Sequence, residues 1–350
     1  MDITEFKKTY EKKKVIENDN QVTHNPVVSV CIQTYQHVSF IEQCLDSILI
    51  QETDFNYEIL LGEDASTDGT REICMDYANR FPDKIRLFLH HRENNIKIGG
   101  QPTGRFNFLY NLYSANGKYI AVCEGDDYWT DPLKLQKQVD FLEENKGYVI
   151  CFHKVALLSK GELLEDNITI VPKNHETITD LAEKGNYIHT PSVMFRSQNL
   201  NFPNEFKLSS IGDFFLYMLL ARSGKIGYID EKMAVYRLGS GIWSNKTAFE
   251  RNLKTAYTFA LLIKTNLFSE KVNQILLYRI RSFLKRFKDQ LDLESLTMLT
   301  ITPSIRNTLY QFFLDSANQE ILKEDMDLSY SQLVKSLKRK LFKRLKSITN

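Results

Sequence analysis

Four short apolar segments, each followed by a polar stretch and then a helical pattern, constrain the fold of this chain most strongly. They begin near Val27, Tyr57, Ile85 and Tyr119. A continuous apolar run of strand length is typical of a strand that is covered on both faces, as in a parallel sheet. Because strands and helices alternate, the sequence predicts an α/β fold with a mostly parallel, doubly wound sheet flanked by helices.

Three of these strands end in polar segments that carry chemically useful side chains. The segments are Gln33–Gln36, Glu63–Asp64 and Glu124–Asp127. Ligands of open parallel sheets bind beyond the carboxyl ends of the strands, near the point where the strand order reverses. A polar strand end is common by itself, but three of them at one edge of a sheet indicate a binding site.

The third segment is the most acidic, since Glu124, Asp126 and Asp127 directly follow the strand that begins at Tyr119. Carboxylates held together at the end of a buried strand repel one another and lose solvation. A hard divalent cation, which prefers oxygen ligands, would remove both costs. The alternative is a solvated acidic turn before the helix near Asp131, but the other polar strand ends favour a metal site.

Composition limits the other classes of function. The chain has 45 basic and 44 acidic residues, and this near-zero net charge gives no reason to expect nucleic-acid binding. The charged N-terminus has no apolar signal core, and no apolar run is long enough to span a bilayer. The five cysteines lie in apolar segments without metal-ligand spacing, which is typical of reduced core residues in a cytosolic protein.

The chain divides by pattern into three regions. Residues 1–25 form a polar N-terminal arm, either a short helix around Phe6 to Val15 or a loose segment. Residues 26–245 hold the α/β domain, and residues 246–350 form a helical C-terminal extension that ends with leucines spaced four apart among lysines and arginines. A basic amphipathic helix is typical of binding to a membrane surface, although a solvated helix packed on the domain fits the pattern equally well.

Three motifs in this order resemble the signatures of the family-2 glycosyltransferases of bacterial surface-polysaccharide assembly. Residues 33–36, Gln-Thr-Tyr-Gln, stand where the family has Pro-Thr-Tyr-Asn. Residues 63–70 are similar to its Asp-Asp-Gly-Ser-Thr-Asp-Gly-Thr, and residues 124–127, Glu-Gly-Asp-Asp, are similar to its Asp-x-Asp-Asp. The resemblance covers about residues 26–245 and implies the GT-A fold, a nucleotide-binding α/β sheet with an acceptor-binding half.

The resemblance also implies a nucleotide site. Tyr35 would lie against the nucleobase, with Gln33 and Thr34 lining the same pocket. Asp64 would accept a hydrogen bond from the base, and Asp126 would approach the ribose or share the metal. A UDP-sugar is the first candidate for the donor.

A metal site follows from the same resemblance. Asp127 would ligate a Mg²⁺ or Mn²⁺ that bridges the donor's pyrophosphate, with Asp126 sharing it and Glu124 contacting it directly or through water. The leaving group is a nucleoside diphosphate whose negative charge grows as the sugar bond breaks. A divalent ion in a dry site stabilises that charge.

The second half of the domain supplies the implied base and sugar pocket. The segment around His189 and Thr190 resembles the one that lines the donor-sugar pocket, although a structural role is equally open. Asp213 stands where the family has the catalytic base of a Glu-Asp pair, and Gly212 replaces the Glu. An Asp at this place could also be a helix cap.

Residues 233–244 resemble the closing signature of the family, Tyr-Arg-x-His followed by a Gly-rich stretch and Trp-Ser. Arg237 would contact the diphosphate, and Trp243 would close over the donor or acceptor or belong to the core. The His is absent, since Leu238 and Gly239 occupy its place. The metal shell of this protein must therefore be completed in another way.

Together these features predict a metal-dependent, inverting hexosyl- or related transferase. It would move a sugar from a nucleotide-sugar donor to a hydroxyl of a glycan or lipid-linked acceptor, in the cytoplasm, with peripheral attachment to the inner face of the cell membrane left open. Two alternatives remain. A sugar nucleotidyltransferase would need a Gly-rich phosphate loop with a basic residue near the first strand, which residues 33–37 lack. A non-catalytic nucleotide- or carbohydrate-binding relic of the same fold is the second.

Overall fold

A large mixed sheet is the central feature of the structure, a computed structural model. The structure describes residues 3–23, 25–98, 100–166, 169–198, 200–239 and 246–286, with the side chains of 284–286 excepted. Within these ranges the sheet contains ten hydrogen-bonded strands, and two further strands pair with each other outside it.

The elements are numbered in chain order within the described ranges. Strands β1 to β12 are Ile16–Glu17, Val28–Thr34, Tyr57–Glu63, Ile85–Leu89, Lys97–Ile98, Gln101–Pro102, Tyr119–Glu124, Tyr128–Trp129, Tyr148–Ser159, Glu162–Glu165, Met194–Arg196 and Lys225–Arg237. Helices α1 to α9 are Ile3–Tyr10, Ile41–Leu49, Thr70–Arg80, Arg105–Ser114, Lys134–Glu144, Ile178–Lys184, Gly212–Leu220, Ala248–Lys264 and Glu270–Arg286. Short 3₁₀ helices are Arg92–Asn94, Thr190–Ser192 and Asn204–Leu208.

The order of strands across the large sheet is β1-β4-β3-β2-β7-β11-β9-β12-β8, with β10 attached to β9. β4, β3, β2 and β7 run parallel to one another, and β12 runs parallel to β9. β11 is antiparallel to both of its neighbours and joins these two parallel parts. The predicted mostly parallel α/β sheet is therefore confirmed, with short antiparallel strands inserted in it and at its edges.

The register of β2 explains why the three polar segments meet. Gln33 is paired with Gly62 of β3 on one side and with Glu124 of β7 on the other. Since the three strands run in the same direction, their carboxyl ends lie at one edge of the sheet, where ligands of such sheets bind. The polar segments that follow the strands are brought together there.

Helix α4 is fixed on this part of the sheet by two buried asparagines. The Asn111 Nδ2 donates to the carbonyl oxygens of Ile32 at 2.9 Å and Leu60 at 3.2 Å, which belong to β2 and β3. The Asn107 Nδ2 donates to the Gly62 carbonyl oxygen at 2.8 Å. Buried polar groups need such partners, and these bonds set where the first residue of α4 lies relative to the strand ends.

The N-terminal segment is ordered against the sheet domain, which decides between the helix and the loose arm considered above. Helix α1 buries Phe6 completely, and the Phe6 ring lies 5.2 Å from that of Phe106 and 5.3 Å from that of Tyr113, both on α4. β1 then pairs with the edge strand β4, with Ile16 opposite Leu89. This segment thus covers α4 and the sheet edge.

By its internal contacts the chain divides into two units. One comprises residues 1–97 and 102–246 and contains the large sheet, and the other comprises residues 98–101 and the chain from 247 onwards, including α8 and α9. The domain limits predicted at residues 25 and 245 stay predictions. The predicted basic helix, residues 333–350, lies outside the described residues. No helix in the described ranges has the length and apolarity needed to cross a membrane.

Candidate active site

Three carboxylates come together in the turn after β7. Side-chain oxygens of Glu124, Asp126 and Asp127 lie within 4.8 Å of one another. The turn is tight, because the Asp127 N–H donates to the Glu124 carbonyl oxygen at 2.9 Å and the Gly125 N–H donates to the Gln33 carbonyl oxygen at 2.9 Å. We call Glu124, Asp126 and Asp127 the acidic turn.

Asp127 is the most constrained of the three. Its Oδ1 accepts a hydrogen bond from the Arg237 backbone N–H at 2.8 Å. Its Oδ2 is buried and has no hydrogen-bond partner among the described residues. Burial, followed by the charge of Asp126, raises the pKa of Asp127 well above its ordinary value. The protein alone therefore leaves negative charge at this turn unbalanced.

Glu124 lies at the solvent-exposed end of β7 and faces the other two carboxylates of the acidic turn. Desolvation, followed by the charges of Asp126 and Asp213, raises the pKa of Glu124 to about 8. Carboxylate oxygens are the ligands that Mg²⁺ and Mn²⁺ prefer. A divalent ion would give the buried Oδ2 of Asp127 a partner and cancel the mutual repulsion, so the acidic turn fits the predicted metal.

Gly125 is needed because a neighbouring loop approaches the acidic turn closely. A Cβ at this position would lie 2.7 Å from the Thr34 Oγ1 and 2.8 Å from the His37 Nδ1. These two atoms are themselves 3.2 Å apart. The absence of a side chain at Gly125 thus lets the acidic turn pack directly on the loop that follows β2.

The predicted base-binding residues lie at the ends of β2 and β3. The Asp64 Oδ2 accepts from the Arg92 Nη1 at 2.5 Å and from the Asn95 Nδ2 at 3.0 Å. Burial raises the pKa of Asp64 to about 6, although Arg92 opposes this shift. The Arg92 guanidinium also lies 3.9 Å from the centre of the half-exposed Tyr35 ring. One arginine therefore connects Tyr35 and Asp64.

Sequence reasoning did not identify Arg92 and Asn95. They belong to the loop after β4, in which neither spacing nor alternation indicates which side chain returns to the sheet edge. A basic residue soon after a strand end was the only signal that the sequence offered.

Polar atoms without partners mark the same edge of the sheet. The Gln33 Nε2, the Asp64 Oδ1 and the Asn95 Oδ1 are buried and unpaired among the described residues, like the Asp127 Oδ2. Nearly all buried polar atoms of native proteins have hydrogen-bond partners. The concentration of such atoms here indicates a site for a polar ligand.

Asp213 comes within electrostatic reach of the acidic turn from the second half of the domain. It is the second residue of α7, whose N-cap is Ile211, so it is not the helix cap that the sequence allowed. Its Oδ2 accepts from the Asn186 Nδ2 at 2.7 Å. Burial raises the pKa of Asp213, and the positive charge of Arg105 opposes the shift. The charge of Asp213 in turn helps to raise the pKa of Glu124.

His189 lies in a small polar cluster. Its Nε2 is 2.8 Å from the Asp166 Oδ2, and its ring centre is 4.8 Å from that of Tyr236. Burial and the nearby acids of the site raise the pKa of Tyr236. Thr190 follows at the start of a 3₁₀ helix. Sequence motifs did not single out Asp166, and Tyr236 entered only as the Tyr of the closing signature, without a role of its own. The predicted site residue Trp243 lies outside the described residues.

Arg237 binds the acidic turn itself. Its guanidinium donates to the Asp126 carbonyl oxygen and to the Gln43 Oε1. The guanidinium lies 4.8 Å from the ring centres of Phe40 and Tyr128. Its positive charge is therefore held beside the crowded carboxylates, although the closing His of the family signature is absent.

Residues 29–200 match the family model described as glycosyl transferase family 2. This segment belongs to that family. The resemblance of the three sequence motifs to the family-2 glycosyltransferases is thereby confirmed. The matched segment of the family-2 domain contains the acidic turn, Asp64 and His189, and it ends before Asp213.

Among curated proteins, the family-2 domain is similar to an uncharacterized protein of Mycobacterium tuberculosis. The two are 35% identical over 217 residues, which is 62% of this chain and 60% of the relative. The match therefore spans less than two thirds of that relative's length. A Bacillus subtilis protein, TuaG, is 29% identical over 63% of this chain and 83% of its own length, and its name assigns it to teichuronic acid biosynthesis as a glycosyltransferase.

Among solved structures, the fold is similar to that of S. aureus TarS, residues 1–349, in complex with UDP-GlcNAc. The TM-score is 0.56 at 20% identity, and the similarity covers 82% of this chain and 80% of the TarS chain. At this identity the comparison concerns the fold, and it confirms the predicted GT-A type of α/β sheet.

Proposed function

We propose that this protein is an inverting glycosyltransferase that transfers a sugar from a nucleotide-sugar donor to a hydroxyl of a glycan or lipid-linked acceptor. The observation that carries the proposal is the convergence, at one sheet edge of a family-2 domain, of the acidic turn with a further, partly buried carboxylate, Asp213. The acidic turn is suited to hold a metal ion that neutralises a diphosphate. Asp213 is suited to act as the base for an incoming hydroxyl.

The donor is proposed to be a UDP-sugar, and the complex of TarS with UDP-GlcNAc supports this choice. The nucleobase would lie against Tyr35, with Gln33 and Thr34 beside it. Asp64 would accept a hydrogen bond from the base through its unpaired Oδ1. Arg92 supports this assignment, because it holds both the Tyr35 ring and the other oxygen of Asp64.

Mg²⁺ or Mn²⁺ is the proposed cofactor, held by Asp127 with Asp126 and Glu124. When bound, it would neutralise the charge that develops on the departing diphosphate. Arg237 is proposed to add a positive charge at the same place, since its guanidinium already lies beside Asp126. His189 and Thr190, and Trp243 from outside the described residues, are proposed to contact the sugar or the acceptor.

Asp213 is the proposed general base. As the acceptor oxygen attacks the anomeric carbon, Asp213 would take the proton of that hydroxyl, and the bond from the carbon to the diphosphate oxygen would break on the opposite face. The electron pair of the broken bond leaves with the nucleoside diphosphate, and the configuration is inverted. Burial supports this role, because it raises the proton affinity of the carboxylate.

We propose that the reaction takes place in the cytoplasm, in keeping with five unpaired cysteines. Residues 333–350, outside the described part of the chain, are proposed to attach it to the inner face of the cell membrane. Deletion of residues 333–350 should abolish binding to vesicles that contain anionic lipid while leaving release of diphosphate from a soluble donor unchanged. Vesicle binding that survives the deletion contradicts the attachment.

The central experiment combines binding with product analysis. Thermal unfolding would be followed with UDP, GDP and their sugars, each with and without Mn²⁺, since a ligand of the folded state raises the melting temperature. The wild type should release UDP from a UDP-sugar, and Asp213→Asn should keep the thermal shift but lose turnover. Release of pyrophosphate would favour a nucleotidyltransferase, and binding without any turnover would favour a non-catalytic relic.

A further inference from the structure

Arg105, the first residue of α4, carries a buried positive charge that the proposed mechanism has not used. Its Nη2 donates to the Ser209 carbonyl oxygen at 2.9 Å, and its guanidinium lies 4.7 Å from the centre of the Phe206 ring. Its Nε is buried without a partner among the described residues. An isolated buried charge is costly, so its retention at this place calls for a partner.

Gly212 makes room for this guanidinium. A Cβ at position 212 would overlap the Nη1, Cζ and Nη2 atoms of Arg105. Gly212 is not in a left-handed conformation that would itself require glycine, since its φ is not among the positive values of the chain. The need for glycine at this position therefore comes from Arg105.

Asp213 is the negative group that acts on Arg105. Burial lowers the pKa of Arg105 to about 10, and the charge of Asp213 opposes this shift. Reciprocally, Arg105 favours the ionised form of Asp213. The two side chains come from α4 and α7, so their approach depends on the packing of these helices and not on any local sequence pattern.

We propose that Arg105 is a positioning residue for Asp213: its guanidinium occupies the space beside Gly212, holds the Ser209–Asp213 segment, and keeps the Asp213 carboxylate ready to accept a proton. This inference rests on the proposed function, in which Asp213 is the base. It assigns a role to the first residue of α4, a position that no sequence motif singles out.

Other charged or titratable groups also act on Asp213. Glu124 at the end of β7 adds a negative charge, and the pKa values of Tyr217 on α7 and Tyr236 on β12 are raised in part by Asp213. The two tyrosines are uncharged near neutral pH, so Glu124 is the negative group among these, and Arg105 provides the positive charge that opposes it. Its removal should therefore make Asp213 harder to ionise, which moves the acidic limb of the pH–rate profile towards higher pH.

The test compares Arg105→Met and Arg105→Lys with the wild type, using release of UDP from UDP-GlcNAc. Arg105→Met should lower kcat about tenfold to a hundredfold and move the acidic limb up by about one pH unit, with KM for the donor unchanged within about twofold. Arg105→Lys keeps the charge, so it should keep much of the wild-type kcat and leave the acidic limb near its wild-type pH. A purely structural role would lower thermal stability without moving the limb.

Gly212→Ala provides an independent way to displace the guanidinium. The clash is with the tip of a long side chain, so the Arg105 side chain should move and the variant should reproduce the Arg105→Met profile. In the Arg105→Met background the same substitution should have little further effect, which is non-additivity of residues in contact. Gly147→Ala is the matched control, because no atom lies within 4 Å of a Cβ at Gly147.

Two results would overturn the inference. One is an Arg105→Met variant whose kcat and acidic limb are the same as those of the wild type. The other is a Gly212→Ala substitution that has the same effect on kcat and on the limb in the wild type and in the Arg105→Met background. If the wild type releases no diphosphate from any donor, the proposed function fails, and with it the catalytic part of this inference. The contact between Gly212 and Arg105 would still be decided by the melting temperatures of the wild type, Arg105→Met, Gly212→Ala and the double variant.

Discussion

At the scale of single residues, Asp127 shows the state of the acidic turn most clearly. One of its oxygens is bonded to the Arg237 N–H and the other is buried without a partner in the described part of the chain. Such a carboxylate destabilises the fold when no cation is bound, because both burial and the adjacent Asp126 disfavour its charge. The site is thus held in a strained electrostatic state by the surrounding structure.

Asp127→Asn should therefore raise the melting temperature of the metal-free protein at pH 7, by about 2–5 °C. The amide oxygen can keep the bond to the Arg237 N–H while the charge is lost. The same variant should lose the Mn²⁺-dependent thermal shift with UDP. Asp54→Asn, at an exposed position, is the control. Lower stability without metal, or an intact metal response, would contradict this account.

Lys134 is a second residue whose charge is buried, and it lies outside the candidate site. Its Nζ donates to the Gln138 Oε1 at 2.7 Å and lies 3.9 Å from the centre of the Trp129 ring. Desolvation lowers the pKa of Lys134 from 10.5 to about 7. The neighbouring thiols of Cys123 and Cys151 do not titrate near pH 7, because burial raises their pKa values.

This shift predicts how the stability contributed by Lys134 depends on pH. Between about pH 7 and 10.5 the unfolded chain binds a proton at Lys134 that the folded chain does not, so stability rises with pH in this window. The free energy of unfolding of the wild type should therefore rise relative to that of Lys134→Met from pH 7 to pH 9.5. Loss of the bond to Gln138 lowers the stability of the variant as well, so the change of the difference with pH, and not its size, measures the shift. Urea unfolding at four pH values measures the difference, and a flat difference refutes the shift.

At the scale of elements, the packing of α1 on α4 links the N-terminus to the candidate site. Phe6 is completely buried against Phe106 and Tyr113 of α4, and the first residue of α4 is Arg105. A helix of eight residues is not stable alone, so α1 depends on this contact. In return it shields the apolar face of the helix that presents Arg105.

Phe6→Ala should cost about 3–5 kcal/mol of unfolding free energy, as for other large aromatic side chains removed from a core. Denaturant unfolding measures this loss. Ile16→Ala is the control, because Ile16 is 60% exposed although it also belongs to the N-terminal segment. If the two substitutions cost the same, α1 does not pack on α4 in solution.

The elements also show how far the sequence alone could reach. The ends of β2, β3 and β7 were predictable because a buried strand followed by polar residues is a local pattern, and so were the acidic turn and Asp64. The roles of Arg92 and Arg105 were not predictable. Each acts on a carboxylate, Asp64 or Asp213, that only the packing of separate elements brings near. In the sequence, Gly212 is only the replacement of a family Glu. The structure explains the glycine, because a side chain at position 212 would overlap the Arg105 guanidinium.

At the scale of the whole molecule, the five cysteines report on the integrity of the core. All are free and buried, and the sulfurs of Cys44 and Cys123 lie 3.9 Å apart. Burial raises the pKa of the thiols of Cys31 and Cys74. Their reactivity should therefore depend on opening of the fold and not on local exposure.

A thiol reagent such as DTNB should label no cysteine of the native protein within minutes and all five after denaturation. The rate of native labelling should fall when UDP and Mn²⁺ are added, because a ligand of the folded state suppresses opening. Labelling is followed by absorbance. Rapid reaction of even one thiol in the native protein would show that the sheet domain opens locally.

The position of β11 has a consequence for the synthesis of the protein. β11 closes the free side of β7, yet it leaves the ribosome about 70 residues after β7. At roughly 5–20 residues per second, that side of β7 stays open for several seconds while β2 already covers the other. The unpaired backbone groups of an open strand edge can form hydrogen bonds with other chains. Throughout that interval the strand carries the acidic turn at its tip. Parallel pairing with the same strand of another nascent copy would place two acidic turns side by side, and repulsion between their carboxylates would oppose it.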